Sequence, residues 1–198
     1  MKAPRVAPRL QIKELTARYL SDPVARFLIT LHISANAITI AGTVITAVSA
    51  YFAADGRFFI AGLIFLGGSS LDLFDGAVAR LTGTASRFGA FLDSLMDRVG
   101  EAALLFGLLA YYVRDGHELG AYLAFAAAIA SLLVSYSRAR AEGLGVEGDV
   151  GLLGRPERVI VLSVGLLAGY PLPALGVITV LGLFTVAQRF AHVSRSAR

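Results

Sequence analysis

Asp72 and Asp75 stand three residues apart and Asp93 and Asp97 four apart, so on helices each pair projects from one face. Four carboxylates brought together repel, and they raise one another's proton affinity unless positive charge lies between them. Divalent cations supply that charge most compactly. Ligation by oxygen alone favours a hard ion, Mg²⁺ or Mn²⁺, over zinc. The chain has no cysteine, which excludes disulfides, iron–sulfur clusters and thiolate zinc sites. His32, His117 and His192 lack metal-ligand spacing and read as ordinary interfacial residues. Helix capping, or pairing with Arg80, Arg87 and Arg98, accounts for one or two of the acids but not for four.

The elements that must carry these acids are apolar. Of 198 residues 56% are hydrophobic, and the mean hydropathy is +0.69, more than a soluble domain of this size needs for its core. Apolar runs occur at about 34–54, 58–71, 99–113, 119–137, 159–170 and 172–187, and a spanning helix needs roughly 20 mostly apolar residues. The second run reaches that length only by continuing through Asp72 and Asp75, and the third only by starting near Gly89 and including Asp93 and Asp97. The acids are therefore expected on membrane helices, where such groups are costly and functional by default. The predicted fold is an all-α integral membrane protein, one domain over 1–198, with six transmembrane helices and an N-terminal interfacial amphipathic segment within 1–30. Leu10, Ile12, Leu15, Tyr19 and Leu20 interleaved with Lys13, Glu14 and Arg18 suit that segment. Asp22 is expected to cap the next helix, with Pro23 in its first position.

Six spans place both termini on one side. That side carries 16 of the 18 Lys and Arg residues, leaving Arg57 and Arg114 opposite. It is expected to be cytoplasmic, and the net charge of +4 reads as facing anionic lipid rather than nucleic acid. The N-terminus does not resemble a removable signal peptide. Asp55-Gly56, Asp115-Gly116 and Tyr170-Pro171 mark outer turns, while Gly83 to Arg87 and Gly143 to Pro156 form the inner loops. Gly42, Gly62, Gly67, Gly68, Gly165 and Gly169 would let helices approach closely. Gly165 and Gly169 suit a dimer interface or burial within one bundle.

Between the acids, Asp75 is followed by Gly76, Ala79 and Arg80, then eight residues intervene before Gly89, three more before Asp93 and three before Asp97. This arrangement resembles the full signature of the CDP-alcohol phosphotransferase family, with eight specified positions matched over 26 residues. Gly76, Ala79 and Gly89 would keep low walls where a nucleotide lies, and Arg80 offers a fork of donors to phosphate oxygens. The resemblance implies that Asp72, Asp75, Asp93 and Asp97 hold two metal ions on the pyrophosphate of a CDP-linked lipid. It further implies that Asp97 takes the acceptor's hydroxyl proton as general base. It adds Ser86 and the segment Asn36, Ala37, Ile38 and Thr39 as nucleotide contacts, although relatives often carry proline where this chain has Ala35. A homodimer in the cell membrane, with its active site on the cytoplasmic face, is also implied.

The acceptor must be inferred outside the signature. Ser135 to Glu142 and Arg155 to Arg158 resemble the branch that makes phosphatidylinositol phosphate or its archaeal ether-lipid counterpart, and an arginine cluster suits a phosphorylated polyol. By that resemblance Ser135, Arg138, Arg158 and Arg189 are the expected contacts for inositol phosphate. Arginines of the cytoplasmic rim provide the bland alternative for any single one. A phosphatidylglycerol phosphate synthase using glycerol 3-phosphate is the enzymatic alternative. A membrane ion transporter is the alternative of another class, and it leaves Gly76, Ala79, Arg80 and Gly89 without a reason.

Overall fold

The computed structural model describes residues 21–196, which fold entirely as helices and their connections. Of the expected interfacial segment 1–30, the part before Ser21 lies outside the described residues and the rest forms the first helix. Eight helices follow: α1 Asp22–Thr30, α2 Ala35–Ala54, α3 Phe58–Ser70, α4 Asp72–Thr82, α5 Arg87–Arg114, α6 Glu118–Gly143, α7 Arg155–Leu167 and α8 Pro171–Ser196. Ser21 takes the cap position of α1 and Asp22 lies in the first turn, one residue earlier than the sequence suggested. Asp22 thus meets the helix dipole rather than the cap.

The long helices close a ring. α2 packs on α3 and α5, α5 on α6, α6 on α8, α8 on α7, and α7 on α3. Small residues set the contacts. A Cβ on Gly107 of α5 would lie 2.8 Å from the Cα of Ala50 on α2, and one on Gly42 of α2 would lie 3.0 Å from the carbonyl oxygen of Gly68 on α3. Gly165 is buried within the chain, where a Cβ would stand 2.5 Å from that of Ala174 on α8, so its close contact is inside the bundle. The apolar core, including Phe65, Leu104, Leu108, Leu162, Leu175 and Ile178, fills the ring, with Phe65 reaching the void that Asp72 and Asp97 line. α1 lies on α4, with Ala25, Ile38, Ala77 and Val78 forming a second small core.

Among the described residues four stretches are long and apolar enough to cross a membrane: Ala35–Ala54, Phe58–Thr82, Glu118–Gly143 and Pro171–Ser196. The second joins α3 to α4 through Leu71, whose dihedrals stay helical (φ −64°, ψ −25°). The remaining two long elements differ for separate reasons. α5 has 28 residues but carries Asp93, Asp97, Arg98 and Glu101 in its first half. α7 has 13 residues, about 20 Å at the helical rise.

Candidate active site

Two tight connections bring the acids together. α4 ends in a Schellman turn: Gly83 has φ 68°, its N–H donates to the Arg80 carbonyl at 3.3 Å, and the Thr84 N–H donates to that of Ala79 at 3.0 Å. Three residues later Ser86 caps α5, its hydroxyl accepting from the Gly89 N–H at 3.0 Å. The chain therefore reverses within a few residues. Asp72 and Asp75 on α4 and Asp93 on α5 each present a carboxylate oxygen, and these atoms all lie within 4.8 Å of one another. Asp75 is buried and the other two are half-buried.

Asp93 Oδ1 is buried without a hydrogen-bond partner. An orphaned anionic oxygen in a group of three acids is the arrangement a hard cation completes, since buried polar atoms otherwise find partners. The donor set of oxygens alone fits Mg²⁺ or Mn²⁺. Asp97 stands on the other flank. Its Oδ1 lies 2.6 Å from Arg155 Nη2, and the same nitrogen lies 2.5 Å from Asp72 Oδ2. Arg98 Nη1 is 3.8 Å from Asp97 Oδ2. Three of the four expected ligands thus converge directly, and the fourth joins them through a guanidinium.

Beside the acids opens a cavity of about 400 Å³. Asn36, Thr39, Gly76, Ala79, Arg80, Ser86 and Gly89 line it together with Asp75 and Asp93. Its other walls include Ser34, Ala35, Thr84, Ala85 and Ala90, which the sequence did not single out. A Cβ on Gly76 would meet only Arg80 Nη1, at 3.3 Å, so the Arg80 guanidinium folds back over Gly76 at the cavity wall. Thr39 donates its hydroxyl to Asp75 Oδ2 at 2.6 Å. Ala37 and Ile38 are not among the lining residues. The Ala37 N–H is taken by the capping hydroxyl of Ser34 at 3.3 Å, and Ile38 packs against α1 and α4 in the small core. The cap of α2 is therefore Ser34, which leaves the side chains of Asn36 and Thr39 available to the cavity.

The residues proposed for the acceptor are dispersed in role. Arg158 is 1% exposed, and its Nε and Nη2 donate to the two carboxylate oxygens of Glu101 at 2.6 and 2.7 Å. Ser135 Oγ lies 3.4 Å from the same Nη2. Arg189 donates through Nε to the Val150 carbonyl at 2.7 Å and through Nη1 to that of Val134. Arg138 is exposed, and it pairs with Glu142 at 2.8 Å and with Asp149 at 3.2 Å. Glu101 is the residue that reading the sequence missed. Its signal was its place four beyond Asp97, which extends the acidic stripe of α5 by one turn. Arg155 was weighed only as one of several arginines of the inner face.

The chain has counterparts among known proteins. The archaetidylinositol phosphate synthase of Methanothermobacter thermautotrophicus is 33% identical over 189 residues, covering 92% of each chain. The phosphatidylinositol phosphate synthase of Mycobacterium tuberculosis, in a crystal structure with CDP-DAG bound, superposes with a TM-score of 0.80 at 28% identity, covering 88% of this chain and 93% of that one. The same enzyme in complex with manganese and citrate superposes with a TM-score of 0.81 at 28% identity, covering 88% of each chain. The family model described as CDP-alcohol phosphatidyltransferase matches residues 32–193, a span that includes all four aspartates and every wall of the cavity, and the chain belongs to that family.

Proposed function

We propose that this enzyme transfers the phosphatidyl group of a CDP-linked lipid to inositol phosphate and releases CMP. The observation that carries the proposal is the convergence of Asp72, Asp75 and Asp93, the last two of them lining a cavity with low walls at Gly76 and Gly89. A cytidine nucleotide needs flat space against a helix, and its diphosphate needs cations held by acids. The names of the similar proteins, phosphatidylinositol phosphate synthase and archaetidylinositol phosphate synthase, favour inositol phosphate as acceptor.

Two divalent ions, Mg²⁺ or Mn²⁺, are assigned to Asp72, Asp75, Asp93 and Asp97, where they would neutralise the charge that develops on the diphosphate. Asp97 then receives the proton of the acceptor hydroxyl as that oxygen attacks the lipid-side phosphorus and the bond to CMP breaks in line. Asn36, Ser86 and Arg80 orient the nucleotide from the cavity wall. Arg138, exposed near the end of α6, is the proposed acceptor contact that solvent reaches. Arg158, Arg189 and Ser135 serve that site from behind, through the backbone and side chains they fix.

The bundle is assigned six spans, with α5 and α7 crossing beside the four apolar stretches, and a cytoplasmic active site on the side of the Gly83 loop. A homodimer in the cell membrane completes the reading. CMP release from CDP-diacylglycerol, measured with inositol phosphate, glycerol 3-phosphate and free inositol and with or without a chelator, tests the chemistry. Turnover with inositol phosphate that a chelator abolishes is expected. Turnover with glycerol 3-phosphate alone would reassign the acceptor, and cation flux in liposomes lacking CDP-lipid, without CMP release, would replace the enzyme by a transporter.

A further inference from the structure

Arg155 and Arg158 sit one turn apart at the start of α7, and they meet Asp97 and Glu101, one turn apart on α5. The two rungs are built differently. Arg158 is gripped as a fork, two nitrogens on two carboxylate oxygens, and is fully buried, with only its Nη1 left without a partner. Arg155 is held by a single nitrogen that touches Asp72 at 2.5 Å and Asp97 at 2.6 Å, while its buried Nε has no partner. A forked pair locks geometry; a guanidinium hung by one nitrogen between two acids is held chiefly by charge.

We propose that Arg155 is the enzyme's built-in counter-ion for the aspartate cluster, joining Asp72 to Asp97 while no divalent ion is bound and yielding both carboxylates when one arrives. The inference rests on the metal reading above. Charge counting supports the exchange. Four aspartates carry four negative charges, which two divalent ions balance, leaving a retained guanidinium beside dications with nothing to neutralise. Asp97 must also both ligate a cation and serve as base, which calls on its two oxygens, and the Arg155 contact occupies one of them, Oδ1.

The direction of release follows from space. The small void beside Arg155, which Asp72, Asp97, Thr46, Phe65 and Glu101 also line, amounts to about 10 Å³, about one water's worth. A guanidinium cannot retreat into it, so the side chain swings outward. The buried Glu101–Arg158 pair keeps α7 in place meanwhile, and the exchange is confined to one side chain.

The test is Mn²⁺ binding by the purified protein without lipid or acceptor, followed by the spin-resonance signal of the free ion, in wild type and Arg155→Gln. Removing one nearby positive charge is expected to raise Mn²⁺ affinity about tenfold or more, and to lower the melting temperature of the chelated protein while sparing that of the Mn²⁺-loaded one. Equal or weaker binding by Arg155→Gln overturns the exchange and leaves the metal reading standing, whereas no binding by either protein overturns both. A measurement on wild type alone covers a variant that fails to fold: modification of Arg155 by phenylglyoxal, mapped by mass spectrometry. Severalfold faster modification with Mn²⁺ present is expected, and an unchanged or slower rate overturns the proposal.

Discussion

Of the three acids that converge, Asp75 is the one whose orientation is fixed by a neutral neighbour. Thr39 comes from α2 and donates to Asp75 Oδ2 at 2.6 Å from a buried position, so one carboxylate oxygen is held and the other is left for a ligand. Hydrogen bonds of this kind, behind a metal-binding carboxylate, typically carry 10–100-fold in metal affinity or activity. Thr39→Val keeps the shape and removes the donor. It is expected to lower CMP release and Mn²⁺ affinity by about tenfold or more with little change in the melting temperature. Unaltered kinetics would show that α4 and α5 position Asp75 without help from α2. Asp93 offers the contrast: its buried Oδ1 has no protein partner at all, so its place is set by the backbone of α5, which Ser86 caps.

At the scale of elements, α5 matters most, because one face of it carries Asp93, Asp97 and Glu101, and Gly100 and Gly107, which border that stripe, seat it against α2. The Glu101–Arg158 pair ties that face to α7. Removing one partner of a buried pair leaves an uncompensated charge and costs about 3–5 kcal/mol, whereas replacing both by apolar residues is often neutral. Glu101→Gln is therefore expected to lower the melting temperature in detergent markedly, and Glu101→Leu combined with Arg158→Met to recover most of the loss. A double variant as unstable as the single one would mean that the pair contributes geometry no apolar contact replaces. The sequence made the four aspartates legible because their spacing is local: three and four residues on single helices. Glu101 was legible only as one more acid four beyond Asp97; its partner, 57 residues away, was not. The segment from Asn36 to Thr39 was half legible. Only the cap at Ser34 decides that Asn36 and Thr39 meet the cavity while Ile38 turns to the core. Arg158 and Arg189 were legible as basic residues of one rim, but whether a guanidinium faces outward or into the protein depends on partners from other helices.

The whole molecule divides into an apolar end and a polar end, with the aspartates, the cavity and the loop of 144–154 together at the polar one. Among the described residues four stretches have the length and composition of spans; α5 lacks that composition and α7 that length, and their charged groups turn toward each other. At 28 residues α5 is about 42 Å long, more than the roughly 30 Å of a hydrocarbon core, and pairing Asp97 and Glu101 with arginines of α7 lowers the cost of placing it there. Six crossings and four crossings make opposite statements about two loops. If α5 crosses, Thr84 before it and Asp115 after it lie on opposite sides; if it does not, they lie on the same side. The absence of native cysteine makes Thr84→Cys and Asp115→Cys clean reporters, and both positions are exposed. With a membrane-impermeant thiol reagent, Asp115→Cys is expected to label in intact cells and Thr84→Cys only after the membrane is opened. Labelling of both from one side would remove α5 from the membrane, and with it the six-span assignment and the cytoplasmic placement of the aspartates.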